Sequence, residues 1–185
     1  LTAVQNSGAE LVFFPLFQPE GNNVLLQARK MKGLGKVVLM SDGSLIESSF
    51  IESVKDAAVG MYFVGPTPPA HTPELDALAG AYKARYAETP PTSYYVSAYD
   101  AAEILFDAIE KVAVATPEGG LRIGRQALRD ALYATKDKKG LSGTMQCNEF
   151  GDCAAQSFNV LRLDNPAAGV EGLTRNVVFT YAPGK

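Results

Sequence analysis

The chain has no tryptophan, one histidine and only two cysteines among its 185 residues. With His71 alone, every Ser-His-Asp or Cys-His arrangement would have to pass through a residue set among proline-rich turn positions. Cys147 and Cys153 lie six positions apart, form no C-x-x-C pair and match no zinc spacing, so no metal is expected. No G-x-S-x-G elbow, P-loop, G-x-G-x-x-G or H-E-x-x-H occurs, and paired carboxylates such as Glu47 and Glu52 read as solvated faces. The longest apolar run, residues 11–17, falls far short of the ~20 residues of a membrane span. Basic residues are equally scattered. The densest group, Lys136, Lys138 and Lys139, reads as a solvated turn, and a net charge of −3 argues against nucleic acid as a partner. An enzyme is therefore a poor reading, and no cofactor is expected.

What is present describes a globular chain. Hydrophobic residues make up 46% and charged residues 20%, with a mean hydropathy near zero, which excludes a disordered composition. The length suits one domain or two small lobes with a sizeable core. The chain opens on Leu1-Thr2-Ala3 without a basic segment or signal-peptide core, which suggests a mature segment, its signal peptide removed, or an excised piece.

Residues 10–17 form an aromatic-rich apolar run closed by Gln18-Pro19-Glu20-Gly21, the pattern of a strand buried on both faces and then a turn. Val24, Leu25, Ala28 and Met31 follow at helical spacing, with Gly33 and Gly35 as a stop. A second run, 37–40, breaks at Ser41-Asp42-Gly43. A short helix over 46–54 precedes a third run, 60–64, which breaks at Gly65-Pro66-Thr67-Pro68-Pro69. Strand and helix alternating at this pace predict βαβ units in a parallel sheet.

Beyond residues 66–69 helices follow one another. Thr72-Pro73 caps one that runs to about Tyr86. Ser97 with Asp100 resembles a capping box for the next. Its expected apolar face is Ala98, Ala102, Leu105, Ile109 and Val112, and its expected polar face Asp100, Glu103, Asp107 and Glu110. Ile123, Ala127, Leu128, Ala131 and Leu132 trace a third helix. Residues 144–147 and 154–163 read as a hairpin joined across 148–152, then a loop over 164–174 and a last apolar run at 177–181.

In open α/β sheets ligands bind beyond the carboxyl ends of the strands. Two segments stand there: Leu16-Phe17-Gln18-Pro19-Glu20 and Ser41-Asp42-Gly43. An aromatic ring and a carboxylate at neighbouring strand ends can grip an amine-bearing solute. Spacing alone equally allows Phe17 in the core and Asp42 as a turn or cap residue before Gly43.

Five strings recur in order: Phe17-Gln18-Pro19-Glu20-Gly21 with Gln27-Ala28-Arg29; Ser41-Asp42-Gly43; Asp56-Ala57-Ala58-Val59-Gly60-Met61-Tyr62; Tyr94-Tyr95-Val96-Ser97-Ala98-Tyr99-Asp100-Ala101; and Gly143-Thr144-Met145 with Asn148-Glu149-Phe150-Gly151-Asp152. Together they resemble the C-terminal half of the type I periplasmic solute-binding proteins of ABC transporters, the Leu/Ile/Val-binding family. The resemblance runs from about residue 8 to 163. It implies an α/β, Rossmann-like parallel sheet flanked by helices, in a protein of two lobes joined by three crossovers. Residues 1–65 would then be the later part of the second lobe, 66–69 a crossover and 70–140 helices of the first lobe. Residues 141–185 would hold the hairpin, the last crossover and the return to the second lobe.

The resemblance further implies a receptor that delivers a small solute, an amino acid or amide, to a membrane permease. It would be periplasmic or extracellular, with a lipid anchor as one option. A sensory or regulatory ligand-binding domain of the same fold is the alternative. Phe17 falls where the family places a ring over the ligand, Asp42 where amino-acid binders place the acid for the ammonium group, and Tyr94 on the cleft wall of the first lobe. Gln18 and Ser41 complete the implied ligand set. Position 42 carries Asp where the Leu/Ile/Val binders have Glu, and their loop before Pro19 is richer in Gly and Tyr. An extracytoplasmic home also favours a Cys147–Cys153 disulfide over two buried thiols. Helices separated from their own sheet would leave apolar faces exposed and favour self-association.

Overall fold

The computed structural model describes all residues except 70, 91, 93, 154–156 and 183–185. In chain order the elements are α1 (Thr2–Ser7), β1 (Leu11–Phe13), α2 (Glu20–Lys30), β2 (Val38–Asp42), α3 (Ser48–Val54), β3 (Tyr62–Pro66), α4 (Pro73–Tyr86) and α5 (Tyr95–Val112). They continue as β4 (Val114–Ala115), β5 (Leu121–Arg122), α6 (Arg125–Tyr133), β6 (Lys138–Gly140), β7 (Gly143–Met145), β8 (Phe158–Arg162), α7 (Gly169–Arg175) and β9 (Val177–Tyr181). These fall into two compact units: Leu1–Thr67 with Ser157–Lys185, and Pro68–Gln156.

The first unit is built on a five-stranded sheet of order β1-β2-β3-β8-β9. β1, β2 and β3 run parallel, and β8 and β9 are antiparallel to their neighbours. The α/β architecture matches the expectation, although the sheet is mixed rather than wholly parallel. Alternation along the strands sends Leu39, Phe63 and Leu161 into the core with Leu25, Leu45, Phe50, Met61, Leu163 and Leu173. Phe50 meets Phe63 edge to face, ring centres 6.0 Å apart.

β1 departs from the strand expected over 10–17. It is three residues long, and Leu11 and Phe13 are about half exposed, because it is an edge strand with one partner and Pro15 has no N–H to continue the ladder. The expected loop at 164–174 contains structure as well. Asn165 Oδ1 accepts from Ala167 N (3.1 Å) to start a 3-10 turn, and α7 follows, burying Leu173.

In the second unit Thr72 Oγ1 accepts from Leu75 N at 3.2 Å, the expected cap of α4, with Pro73 in the first turn. α5 corrects two expectations. It begins at Tyr95, so Ser97 is an exposed residue of its first turn and not a cap. Its buried stripe is Val96, Asp100, Ile104 and Ala108, whereas Leu105 lies 39% and Phe106 59% exposed. A carboxylate can sit on that stripe because its charge is compensated: Asp100 accepts from Leu141 N and Ser142 N, both at 2.8 Å, and from the Ser142 hydroxyl. Gly140 permits this approach, since a Cβ there would come 2.7 Å from the Asp100 carboxyl carbon and 2.6 Å from Met145.

The basic group 136–139 is not only a turn. Lys138 starts β6, and its ammonium lies 2.6 Å from Asp107 Oδ2, a hydrogen bond that raises the lysine above its ordinary pKa.

The hairpin expected from 144–147 and 154–163 is absent among the described residues. β7 pairs with β6, and β8 pairs with β3 and β9 in the other unit's sheet. Residues 154–156 of the expected strand lie outside the described set. A tight loop remains at 148–152: Gln146 N donates to Cys153 O and Asn148 N to Asp152 O, both at 2.9 Å, and Gly151 takes φ +89°. Cys147 and Cys153 close it as a disulfide, with a Cα separation of 3.7 Å against the ~4.4–6.8 Å usual for such bonds.

Candidate functional site

The site is assembled where the chain leaves β1 and β2. Phe14 N donates to Met40 O at 2.9 Å, extending the β1–β2 contact by one residue, and the Ser41 hydroxyl donates to Phe14 O at 3.0 Å. Ser41 is fully buried, so its side chain locks the two strand ends together and faces no solvent. Beyond it, the Ser44 hydroxyl lies 2.9 Å from Leu16 O and also within bonding distance of Asp42 Oδ1. Gly21 completes the junction. A Cβ there would stand 2.7 Å from Leu45 Cδ1 and 3.3 Å from Leu16 O, so glycine lets the first turn of α2 settle against the segment after β2 without displacing the buried Leu45 side chain.

Asp42 ends β2 and caps the 3-10 turn Gly43–Leu45, accepting from Ser44 N at 3.2 Å. The cap uses Oδ1. Among the described residues no lysine, arginine or histidine lies within 4.0 Å of Asp42 or Glu47, so both carboxylates stand without a cationic partner. Phe17 is 73% exposed and thus is not the core residue that its hydrophobicity alone allowed. It is one residue beyond Leu16, the carbonyl within reach of Ser44.

Gln18 is half-buried and its amide is engaged. Nε2 donates to Glu47 Oε2 (3.0 Å) and Ser49 Oγ (2.8 Å), and Oε1 accepts from Asn22 Nδ2 (3.2 Å). It therefore ties the loop after β1 to the start of α3. Tyr94 belongs to the second unit. It is the N-cap of α5, with its backbone N–H 3.3 Å from Thr92 Oγ1 and its side chain 43% exposed. The structure thus brings Phe17, Gln18, Ser41 and Asp42 to one end of one sheet, with Tyr94 placed in the other unit.

Sequence reasoning left Ser44 unmarked and set Glu47 aside, with Glu52, as a solvated carboxylate pair. Ser44 had a readable signal, because Asp-Gly-Ser after a strand is the pattern of an Asx turn. Glu47 had none; as one of several carboxylates on a short helix entry it read as solvated. A concavity of about 760 Å³ within the second unit, lined in part by Leu78, Tyr99, Asp100 and Lys139, takes in none of the expected site residues.

Comparison with known proteins bears on the family and the fold. Residues 1–168 match the family model described as periplasmic binding protein. A Leu/Ile/Val-binding protein, BraC3, from Rhizobium johnstonii is 26% identical over 162 residues, which cover 87% of this chain and 41% of that protein. A Leu/Ile/Val-binding protein homolog from Brucella melitensis is 25% identical, covering 89% of this chain and 42% of that protein. This chain therefore spans about two-fifths of the length of these curated relatives. Among solved structures, a leucine-binding protein from Thermotoga maritima superposes with a TM-score of 0.63 at 21% identity, covering 89% of this chain and 44% of that one. A solute-binding protein of an ABC transporter from Rhodopseudomonas palustris, in complex with p-hydroxybenzoic acid, gives 0.60 at 21% identity, covering 88% and 43%. The mixed α/β sheet, the loops at its strand ends and a family match over nine-tenths of the length make this chain a member of the periplasmic binding protein family.

Proposed function

We propose that the chain belongs to the solute-binding component of an ABC-type importer, and that its solute carries an amine, as amino acids and amino-acid amides do. The observation that carries this reading is Asp42, a carboxylate at a strand end with no cationic partner among the described residues and one oxygen fixed by the cap; Phe17, 73% exposed, follows Leu16, whose carbonyl the Ser44 hydroxyl also reaches. An ammonium group supplies the missing positive charge, and an aromatic face adds cation–π attraction of ~0.5–2 kcal/mol. In this reading the unit of Leu1–Thr67 and Ser157–Lys185 is the second lobe, and Pro68–Gln156 belongs to the first. Tyr94 is the ligand wall contributed by the first lobe. Gln18 and Ser41 act as supports: Gln18 holds the loop against Glu47 and Ser49, and Ser41 joins the strand ends.

The mechanism follows from a ligand that gains contacts from both lobes only when they close. Ligand then shifts the population toward the closed state, which a membrane permease distinguishes from the open one. The receptor works outside the cytoplasm, where the Cys147–Cys153 disulfide persists. Two relatives set the alternatives for the solute, one named for leucine and one holding a hydroxybenzoate.

A thermal-shift panel on the full-length receptor tests the reading with amino acids, amino-acid amides and amine-free aromatic acids. A solute at one hundred times its Kd stabilises the native state by ~2.7 kcal/mol, a shift of several degrees. Amine-bearing solutes are expected to raise Tm and benzoates to leave it unchanged. Stabilisation by amine-free acids alone would remove Asp42 from the binding role and leave it a cap.

A further inference from the structure

Asn159 is one of three polar or charged residues that are buried among the described residues, and the site just described makes no use of it. It is the second residue of β8, paired in register with Gly65 of β3 on one side and Thr180 of β9 on the other. Its Oδ1 accepts two hydroxyls: Thr180 Oγ1 at 2.8 Å and Thr67 Oγ1 at 3.2 Å. Thr67 has a second tie, because its backbone N–H donates to Ser157 O at 3.0 Å. Thr67 and Ser157 are the two residues at which the chain leaves and re-enters the first unit. Both ends of the connection are thus held to the sheet, one through its backbone pairing and one through a buried side-chain amide that also grips the edge strand.

We propose that Asn159 is a positioning residue for the hinge: it fixes Thr67 to the sheet, so that bending between the units starts beyond Thr67 and not within β3 or β8. Three features support this. Without the clasp, Thr67 lies one residue past the end of β3 with one backbone bond, from its N–H to Ser157 O. Proline follows immediately at 68 and 69, so no further N–H can extend the ladder along this chain. The acceptor is buried, where an unpaired polar atom is costly, so the two hydroxyls are held there more firmly than surface groups would be. The inference rests on the importer reading for its purpose, a hinge that closes on solute, but its test requires no solute.

Amide hydrogen exchange on the unliganded full-length protein reads the clasp directly. Asn159→Leu removes the acceptor, and Thr67→Val removes one donor at nearly constant shape. Each is expected to speed exchange in the Thr67 region about fivefold or more relative to Phe63 and Val64, the equivalent of about one net hydrogen bond. Thr67→Ser keeps a hydroxyl and should restore the slow rate. Thr180→Val removes the other hydroxyl from the same oxygen and should leave exchange at Thr67 slow, because Thr67 keeps its own bond. Uniform acceleration across the first unit in Thr67→Val, or equal loosening of Thr67 in Thr180→Val, would make Asn159 an ordinary structural residue and overturn the proposal. Should Asn159→Leu not fold, the three threonine variants decide alone. If the solute panel fails but Thr67 loosens selectively, the clasp stands and only its purpose falls.

Discussion

Replacing Asp42 by asparagine in the full-length protein is expected to weaken an amine-bearing solute by two or more orders of magnitude with little change in thermal stability. Asparagine keeps an oxygen for the Ser44 N–H, so the 3-10 turn Gly43–Leu45 retains its cap and the loop its shape. What is lost is the negative charge opposite a desolvated ammonium group. Breaking one side of such a pair costs ~3–5 kcal/mol, and each ~1.4 kcal/mol is a factor of ten in Kd. Asp42→Ala removes the cap as well and should add a stability loss of ~1 kcal/mol, which separates the two roles of the residue. Calorimetry on the solute found by the panel measures both variants. Equal affinity in wild type and Asp42→Asn would show that the charge serves the turn alone.

The largest stability effect is expected at Phe63, on the central strand β3. Its ring is fully buried, packs edge to face on Phe50 and stands between α3 and the sheet. Phe63→Ala removes that ring and leaves a cavity that neighbouring side chains fill only in part, a loss of ~3–5 kcal/mol. Two compact units need not unfold together, so exchange protection of β2 and β3 amides in urea is a better readout than a single melting temperature. Protection there should fall by the full amount. A change below ~1 kcal/mol would mean that the ring is less confined than its burial indicates.

Much of the fold was legible where an element obeys one local rule. The runs at 37–40 and 60–64 became β2 and β3, and Thr72-Pro73 became a true cap, since each signal is confined to a few neighbouring residues. β1 was overread because an apolar sequence does not say whether a strand is central or at an edge; only its partners do. Asp100 was misplaced on α5 for a related reason. Its burial depends on donors from Leu141 and Ser142, forty-one and forty-two positions away, which no helical periodicity contains. β8 is not half of a hairpin with 144–147 because a change of unit lies between them, and its partners β3 and β9 belong to its own unit. For the candidate site, the rule that ligands meet the carboxyl ends of parallel strands pointed to Phe17 and Asp42, whereas the joining role of Ser44 needed both loops in place.

On the proposed function, the ends of β1 and β2 hold the amine end of a solute. A crystal structure of the full-length protein with the solute found by the panel tests this most directly. The account predicts the solute's nitrogen within ~2.7–3.2 Å of an Asp42 carboxylate oxygen and its body against the Phe17 ring. A solute held elsewhere, with Asp42 bonded only to Ser44 and Phe17 still open to solvent, would contradict it.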